Sequence, residues 1–259
     1  MHYEVNGYNF KAELRTFPGG EEYIRLPQVQ HPVGTDGTVL IYADLRSSQN
    51  IMQLLMVKDA LQRARPDATF ILDMGYLPYA RQDRVCAKGE SFSLVVFCNL
   101  INGMYFDEVR VTDCHSIVGL ALLENVVEKT QLRALQETQT RTLRGTGFFN
   151  NIDVIVAPDA GASKKAQIIA DYFVVPMVQC LKTRENGRIT VELCGSVQYQ
   201  NALVVDDIID GGGTFLPLAE ALHEAASIKL YATHGIFSKG KEALSKVYDD
   251  ILAYSDWSK

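Results

Sequence analysis

Cysteine is scarce in this chain. Cys86, Cys98, Cys114, Cys180 and Cys194 are odd in number, widely spaced and never in a C-x-x-C pair, which excludes a disulfide framework and a zinc ribbon. Positive charge is in deficit. Lys and Arg number 25 against 31 Asp and Glu, for a net charge of −6, so the broad basic surface of a nucleic-acid binder is missing. A single loop can still bind an anion on such a protein. No G-x-x-x-x-G-K-[ST] segment occurs, which removes a Walker A loop. The longest apolar stretch, residues 94–101, is interrupted by Asn99 and is far too short to span a bilayer. The opening residues MHYEVNGYNFKAEL lack a basic segment followed by an apolar one, so no leader is expected, and a cytoplasmic, reducing location is.

What remains is an ordinary globular composition, 47% hydrophobic and 22% charged over 259 residues. At roughly 100–200 residues per domain this allows one large domain or two modest ones with real cores. Apolar, β-branched runs alternate with helix-period segments, the pattern of βαβ units. Strands are expected at residues 38–43 (TVLIYA), 68–74 (ATFILDM), 108–112 (EVRVT), 153–157 (DVIVA), 174–178, 202–205 (ALVV) and 230–234. Helices are expected from the Ser47–Asn50 caps to Pro66, at 92–102, within 129–144, at 164–172, and after Thr214 with Leu218, Ala221, Leu222 and Ala225 on one face. Gly145, Thr146 and Gly147 read as a turn between two α/β halves, 1–129 and 130–259.

In open parallel sheets ligands bind beyond the carboxyl ends of strands. The strongest candidate there is VVDDIIDGGGT, residues 204–214. Glycines let backbone N–H groups converge on an oxyanion, and Thr214 adds a hydroxyl. The carboxylates of Asp206, Asp207 and Asp210 would repel an anion unless they bind sugar hydroxyls or hold a metal. A glycine-rich turn with an acidic cap is the bland alternative. GYLPYARQDR, residues 75–84, presents Arg81 and Arg84 around Gln82 and Asp83, a set suited to polyphosphate or to a solvated turn with a surface ion pair. His115 ends EVRVT and Asp159 ends DVIVA. Each reads equally as a satisfied structural residue, unless their strands lie near the glycine loop and share a divalent cation. Residues 180–188 (CLKTRENGR) read as an exposed hairpin or loop, either ordinary or a lid whose cations meet phosphoryl groups.

FPGGE (17–21), GYLPYARQDR (75–84), TDCH (112–115), APDAGA (157–162), LVVDDIIDGGGT (203–214) and YATHGIF (231–237) stand in the order found in ribose-phosphate diphosphokinases, the PRPP synthetases, and the chain resembles that family from about residue 17 to 237. The resemblance implies an α/β fold of two similar domains of the type I phosphoribosyltransferase kind, each a mainly parallel sheet flanked by helices, with the ATP side in 1–129 and the ribose-phosphate side in 130–259. It implies transfer of the β,γ-diphosphoryl group of Mg-ATP to the anomeric hydroxyl of ribose 5-phosphate, in a homo-oligomer whose active sites are completed between subunits, with no nucleic acid or membrane partner. Arg81, Gln82 and Arg84 would hold ATP, and Phe17 and Glu21 would reach the adenine of a neighbouring subunit. His115 and Asp159 would hold Mg²⁺. Lys182 and Arg184 would be the catalytic lid cations. Asp206, Asp207 and Asp210 would orient the ribose, and Gly211, Gly212, Gly213 and Thr214 would bind its 5-phosphate.

The departures from the family pattern bear on the acceptor. Gly211 stands where the family has Thr, Gly19 where it has Asp, and Ala162 where it has Gly; GESFSL, residues 89–94, replaces the usual R-x-P-I-S-A-K. Phage-encoded relatives place the diphosphate on ADP-ribose to rebuild NAD⁺, and a roomier loop suits that larger acceptor. A phosphoribosyltransferase would share the glycine loop but has no use for YARQDR or the lid. A silent regulatory subunit would be expected to lose His115, Lys182 or Arg184, all of which are present.

Overall fold

The computed structural model describes residues 2–5, 8–26, 37–142, 147–185 and 188–258, which fall into two units, Met1–Lys129 and Thr130–Lys259. Unit 1 opens with two antiparallel hairpins, β1 (His2–Val5) with β2 (Tyr8–Lys11) and β3 (Glu13–Thr16) with β4 (Glu22–Arg25). It continues as β5 (Thr38–Tyr42), α1 (Ser48–Ala64), β6 (Thr69–Gly75), α2 (Ser93–Asn102), β7 (Glu108–Thr112), α3 (Ile117–Leu122) and β8 (Val126–Lys129). The sheet order is β2-β1-β5-β6-β7-β8, parallel from β5 onward. Ser47 starts α1 by accepting the Asn50 N–H on its hydroxyl, and the helix ends at Ala64, with Arg65 as its cap before Pro66.

One core serves this unit. Val39, Ile41, Phe70, Leu72, Val109 and Val111 from the strands pack with Leu54, Val57 and Leu61 of α1 and Leu94, Phe97 and Ile101 of α2. The opposite sheet face carries Tyr42, Asp73 and Arg110 in register across three strands, each half-buried. Burial pushes the Asp73 carboxyl above its usual range.

Unit 2 runs α4 (Gln131–Thr142), β9 (Val154–Ala157), α5 (Ser163–Phe173), β10 (Met177–Glu185), β11 (Arg188–Leu193), β12 (Asn201–Ile209), α6 (Phe215–Ala221), β13 (Ser227–Gly235), a 3₁₀ turn and β14 (Asp250–Asp256). Its sheet order is β11-β10-β9-β12-β13-β14, with only β11 antiparallel. Two cores flank it. Ile155, Leu203, Val205 and Tyr231 meet Leu135 of α4 and Ile169 of α5 on one face. Val154, Val156, Val204 and Leu230 meet Phe215, Leu218 and the adjoining Leu222 on the other. Each such leucine contributes about 1.5–3 kcal/mol by leaving water.

Three expectations need correction. The strand expected from Val174 begins only at Met177. Val174 is instead the left-handed cap of α5 (φ 58°), with the Val175 N–H donating to Ala170 O at 3.1 Å, and Pro176 follows. The strand expected to stop at Val205 continues to Ile209, because pairing with β13 holds through Ile209 and Gly235. The helix after Thr214 ends at Ala221, so Ala225 lies beyond it. Gly145 and Thr146 of the expected turn lie outside the described residues. All five cysteines are free, and no helix among the described residues is long and apolar enough to cross a membrane.

Candidate active site

In unit 2 the reversal of strand order at β9 opens a crevice beyond the carboxyl ends of β9 and β12. Asp159 sits just past β9. Its Oδ1 accepts the N–H groups of Gly161 and Ala162 at 3.0 and 3.2 Å, a turn that leads the chain into α5. Its Oδ2 lies 3.6 Å from Lys182 Nζ. Lys182, on β10 and largely buried, donates to Thr214 Oγ1 at 2.8 Å. Thr214 precedes α6 without capping it, which leaves its hydroxyl for the lysine. One ammonium thus ties the end of β9 to the glycine loop after β12.

The carboxylates of Asp206 and Asp207 lie inside the β12 ladder rather than in the loop, and Asp207 is buried. Burial first, and then the neighbouring Asp207, hold the Asp206 carboxyl well above the usual range. Asp206 Oδ1 accepts the Asp207 N–H at 2.9 Å. Asp210 and Gly211 follow the strand, both half-buried. Gly212 has φ +81°, a conformation that favours glycine, and a Cβ added at Gly213 would meet no atom within 4 Å. The segment at 180–188 is a hairpin, with Lys182 opposite Val191 and Arg184 opposite Ile189. The Arg184 side chain, Asn186 and Gly187 lie outside what is described.

In unit 1 the loop after β6 is anchored by buried Leu77 and Ala80, which leaves Arg81, Gln82 and Arg84 exposed. Tyr79 takes φ 61° to make the bend, and its carbonyl accepts the Gln82 N–H at 2.8 Å. Asp83 is the residue sequence reasoning left without a role. Its carboxylate accepts the Ser116 hydroxyl and Arg84 Nε, the latter at 3.1 Å, and these bonds lower its pKa, the serine most. Ser116 also caps α3, accepting the Val118 N–H at 3.2 Å, and His115 beside it is exposed. Asp83 therefore fastens the arginine loop to the loop that carries His115. Asp113, buried at φ 46°, sets the bend before His115, with its N–H on Lys129 O at 2.7 Å.

Phe17 and Glu21 sit at the β3–β4 turn, closed by Phe17 N–H to Glu21 O and Gly20 N–H to Phe17 O, both 2.8 Å. Phe17 is half exposed and meets Tyr23 edge-on at 5.8 Å. Between this hairpin and α1 lies a cavity of about 510 Å³ lined by Thr16, Gly20, Glu21, Glu22, Met52 and Met56, among others. Glu22, also missed in the sequence, accepts from Gln53, Thr16 and Gln49 at 2.7–2.8 Å, which lowers its pKa.

The chain is similar to known proteins over nearly its whole length. A sequence profile of the phosphoribosyl transferase domain matches residues 133–252. The ribose-phosphate pyrophosphokinase of Thermococcus kodakarensis is 30% identical over 251 residues, 93% of this chain and 84% of the relative. That of Pyrococcus abyssi is 30% identical over 253 residues, 95% and 84% of the two chains. The crystal structure of phosphoribosylpyrophosphate synthetase from Mycobacterium smegmatis superposes with a TM-score of 0.78 at 25% identity, covering 94% of this chain and 80% of that one. With two α/β units, an arginine loop in one and a lysine-bridged glycine loop in the other, the chain belongs to the ribose-phosphate pyrophosphokinases, a family of transferases.

Proposed function

We propose that the chain moves the β,γ-diphosphoryl group of ATP to the anomeric 1-hydroxyl of ribose 5-phosphate. The acceptor oxygen bonds to Pβ, the bond from Pβ to the α,β-bridging oxygen breaks, AMP leaves with that oxygen, and the hydroxyl proton passes to solvent. The observation that carries this reading is the Lys182 ammonium, set between Asp159 and Thr214 at the mouth of the glycine loop. A cation held there neutralises charge on a diphosphoryl group in flight, the main protein contribution to phosphoryl transfer. Arg184 on the same strand would supply a second positive charge. Asp206, Asp207 and Asp210 would accept ribose hydroxyls, and Gly211 to Thr214 would offer backbone N–H groups and a hydroxyl to the 5-phosphate. Arg81, Gln82 and Arg84 would bind ATP, with Phe17 and Glu21 serving the adenine of a neighbouring copy.

Mg²⁺ suits the donors present. Asp159 offers a half-exposed hard oxygen whose partner atom is already fixed by two N–H groups, and His115 is exposed. Mg²⁺ keeps several waters and is commonly held through substrate phosphates together with one or two protein groups. Asp159 of unit 2 would hold it, His115 of unit 1 is the further donor that the family resemblance implies, and when bound the ion would neutralise phosphate charge.

A second acceptor, ADP-ribose, is favoured by the open space around Gly213, where an esterified 5-phosphate would need room. Incubation with Mg-ATP and either acceptor, followed by mass spectrometry, tests the reading. AMP with a diphosphorylated sugar supports it and identifies the acceptor. AMP without any acceptor indicates hydrolysis, and absence of AMP indicates a non-catalytic subunit.

A further inference from the structure

Lys239 follows YATHGIF, two residues past Phe237. It sits on the turn after β13, and that turn is hooked to the end of β12: Ile209 O accepts the N–H groups of Ile236 at 2.8 Å and Phe237 at 3.3 Å. The turn closes with Gly240 N–H on Phe237 O at 2.8 Å, with Gly240 at φ +75°. The Lys239 stem is thereby laid over the glycine loop. A Cβ added at Gly211 would stand 3.3 Å from its Cδ and 3.4 Å from its Cε, closer than comfortable packing allows. A side chain at position 211 would crowd the lysine stem by a few tenths of an ångström, so the missing side chain and the lysine form one arrangement.

The charge on this residue is uncommitted. Lys239 is exposed and has no ion-pair partner among the described residues. Lys241, two residues on, is engaged by Asp256 at 2.6 Å and lies over the Phe237 ring. Lys182 at the far end of the loop is engaged by Thr214 and Asp159. The loop therefore has a lysine at each end, and the one at Gly211 is available to a ligand.

We infer that Lys239, whose stem packs on Gly211, binds the phosphate on the acceptor's 5-oxygen. This deepens the function proposed above and rests on it only in taking the glycine loop as the acceptor's phosphate site. A flexible ammonium reaches either a terminal phosphate or an esterified one, because it needs charge rather than a fixed bidentate geometry. It is a binding residue for the acceptor and has no part in holding ATP.

Equilibrium binding of ribose 5-phosphate and of ADP-ribose, by calorimetry on the full chain at several salt concentrations, tests this apart from turnover. Lys239→Met keeps the stem and removes the charge. It is expected to weaken the bound acceptor about tenfold, the scale of one hydrogen bond to a charged group. Its salt dependence should become shallower, its affinity for ATP should stay at the wild-type value, and Lys239→Arg should recover most of the loss. Gly211→Thr, which crowds the stem, should blunt the effect of Lys239→Met when the two are combined. Equal acceptor affinity in wild type and Lys239→Met, or no binding of either acceptor to the wild type, overturns the inference. If Lys239→Met weakens acceptor binding while the wild type makes no diphosphorylated product, the lysine assignment stands and the transfer reaction falls.

Discussion

Unit 1 lays down its parallel strands in chain order, β5-β6-β7-β8, whereas unit 2 reverses direction and ends with β9 between β10 and β12. Crossovers between parallel strands are right-handed, so a sheet that grows in one direction places its connecting helices on one face. Unit 1 has a single core with α1 and α2 together, as that rule requires. In unit 2 the crossover through α5 and the crossover through α6 run in opposite senses, and the two helices cover opposite faces. One change of direction thus yields both the second helix layer and the crevice in which Lys182 meets Thr214 and Asp159.

The largest effects should come from the two cores of unit 2. Leu135→Ala and Leu218→Ala, fully buried on opposite sides of the sheet, should each cost about 2–5 kcal/mol in urea unfolding and add to within about 0.5 kcal/mol in the double variant. Strong coupling between them would mean that the two layers are one core. Lys182→Ala should lower kcat by about 10²–10³-fold while ATP binding persists, since its contacts lie wholly within unit 2. Unchanged turnover would remove the lysine from the chemistry.

Two aspartates sharpen the comparison through pH. Asp83 of unit 1 has its pKa lowered in the fold, so its contribution to stability is present above the ordinary carboxylate range and is lost as pH falls. Asp206 of unit 2 has its pKa raised, so ionising it costs stability as pH rises past that range. In metal-free buffer Asp206→Asn should raise Tm at neutral pH and change little in acid. Asp83→Asn should lower Tm at neutral pH and also change little in acid. Shifts of the same sign at neutral pH would contradict the difference in environment. The smallest effect concerns helix ends: Val174→Gly should gain about 0.5–1 kcal/mol by relieving an exposed β-branched residue from the left-handed region.

Much of this was legible in the sequence where a strand is an unbroken apolar run. TVLIYA, ATFILDM, EVRVT and DVIVA all form strands close to the expected bounds, because burial of a central parallel strand demands such residues. Asp206 and Asp207 misled for the same reason: carboxylates look like the end of a buried strand, yet backbone pairing with β13 carries them into the ladder. The short hairpins β1–β2 and β3–β4 have no helix between partners to announce them, and the edge strand β8 is only four residues long after a six-residue helix. Asp83 and Lys239 were illegible as partners. Ser116 and Gly211 come near them only through the sheet, and no local spacing encodes that approach.

The place of β9 also matters while the chain is being made. Val154 to Ala157 are buried on all sides in the finished unit, yet β12, which completes one edge, leaves the ribosome only after α5 and the β10–β11 hairpin. Through that interval the most apolar strand of unit 2 has one edge open, while unit 1 is free to zip β6, β7 and β8 each onto the strand before it. Slow synthesis or truncation between residues 157 and 201 should therefore produce aggregation seeded by β9, a hazard the simpler sheet does not share.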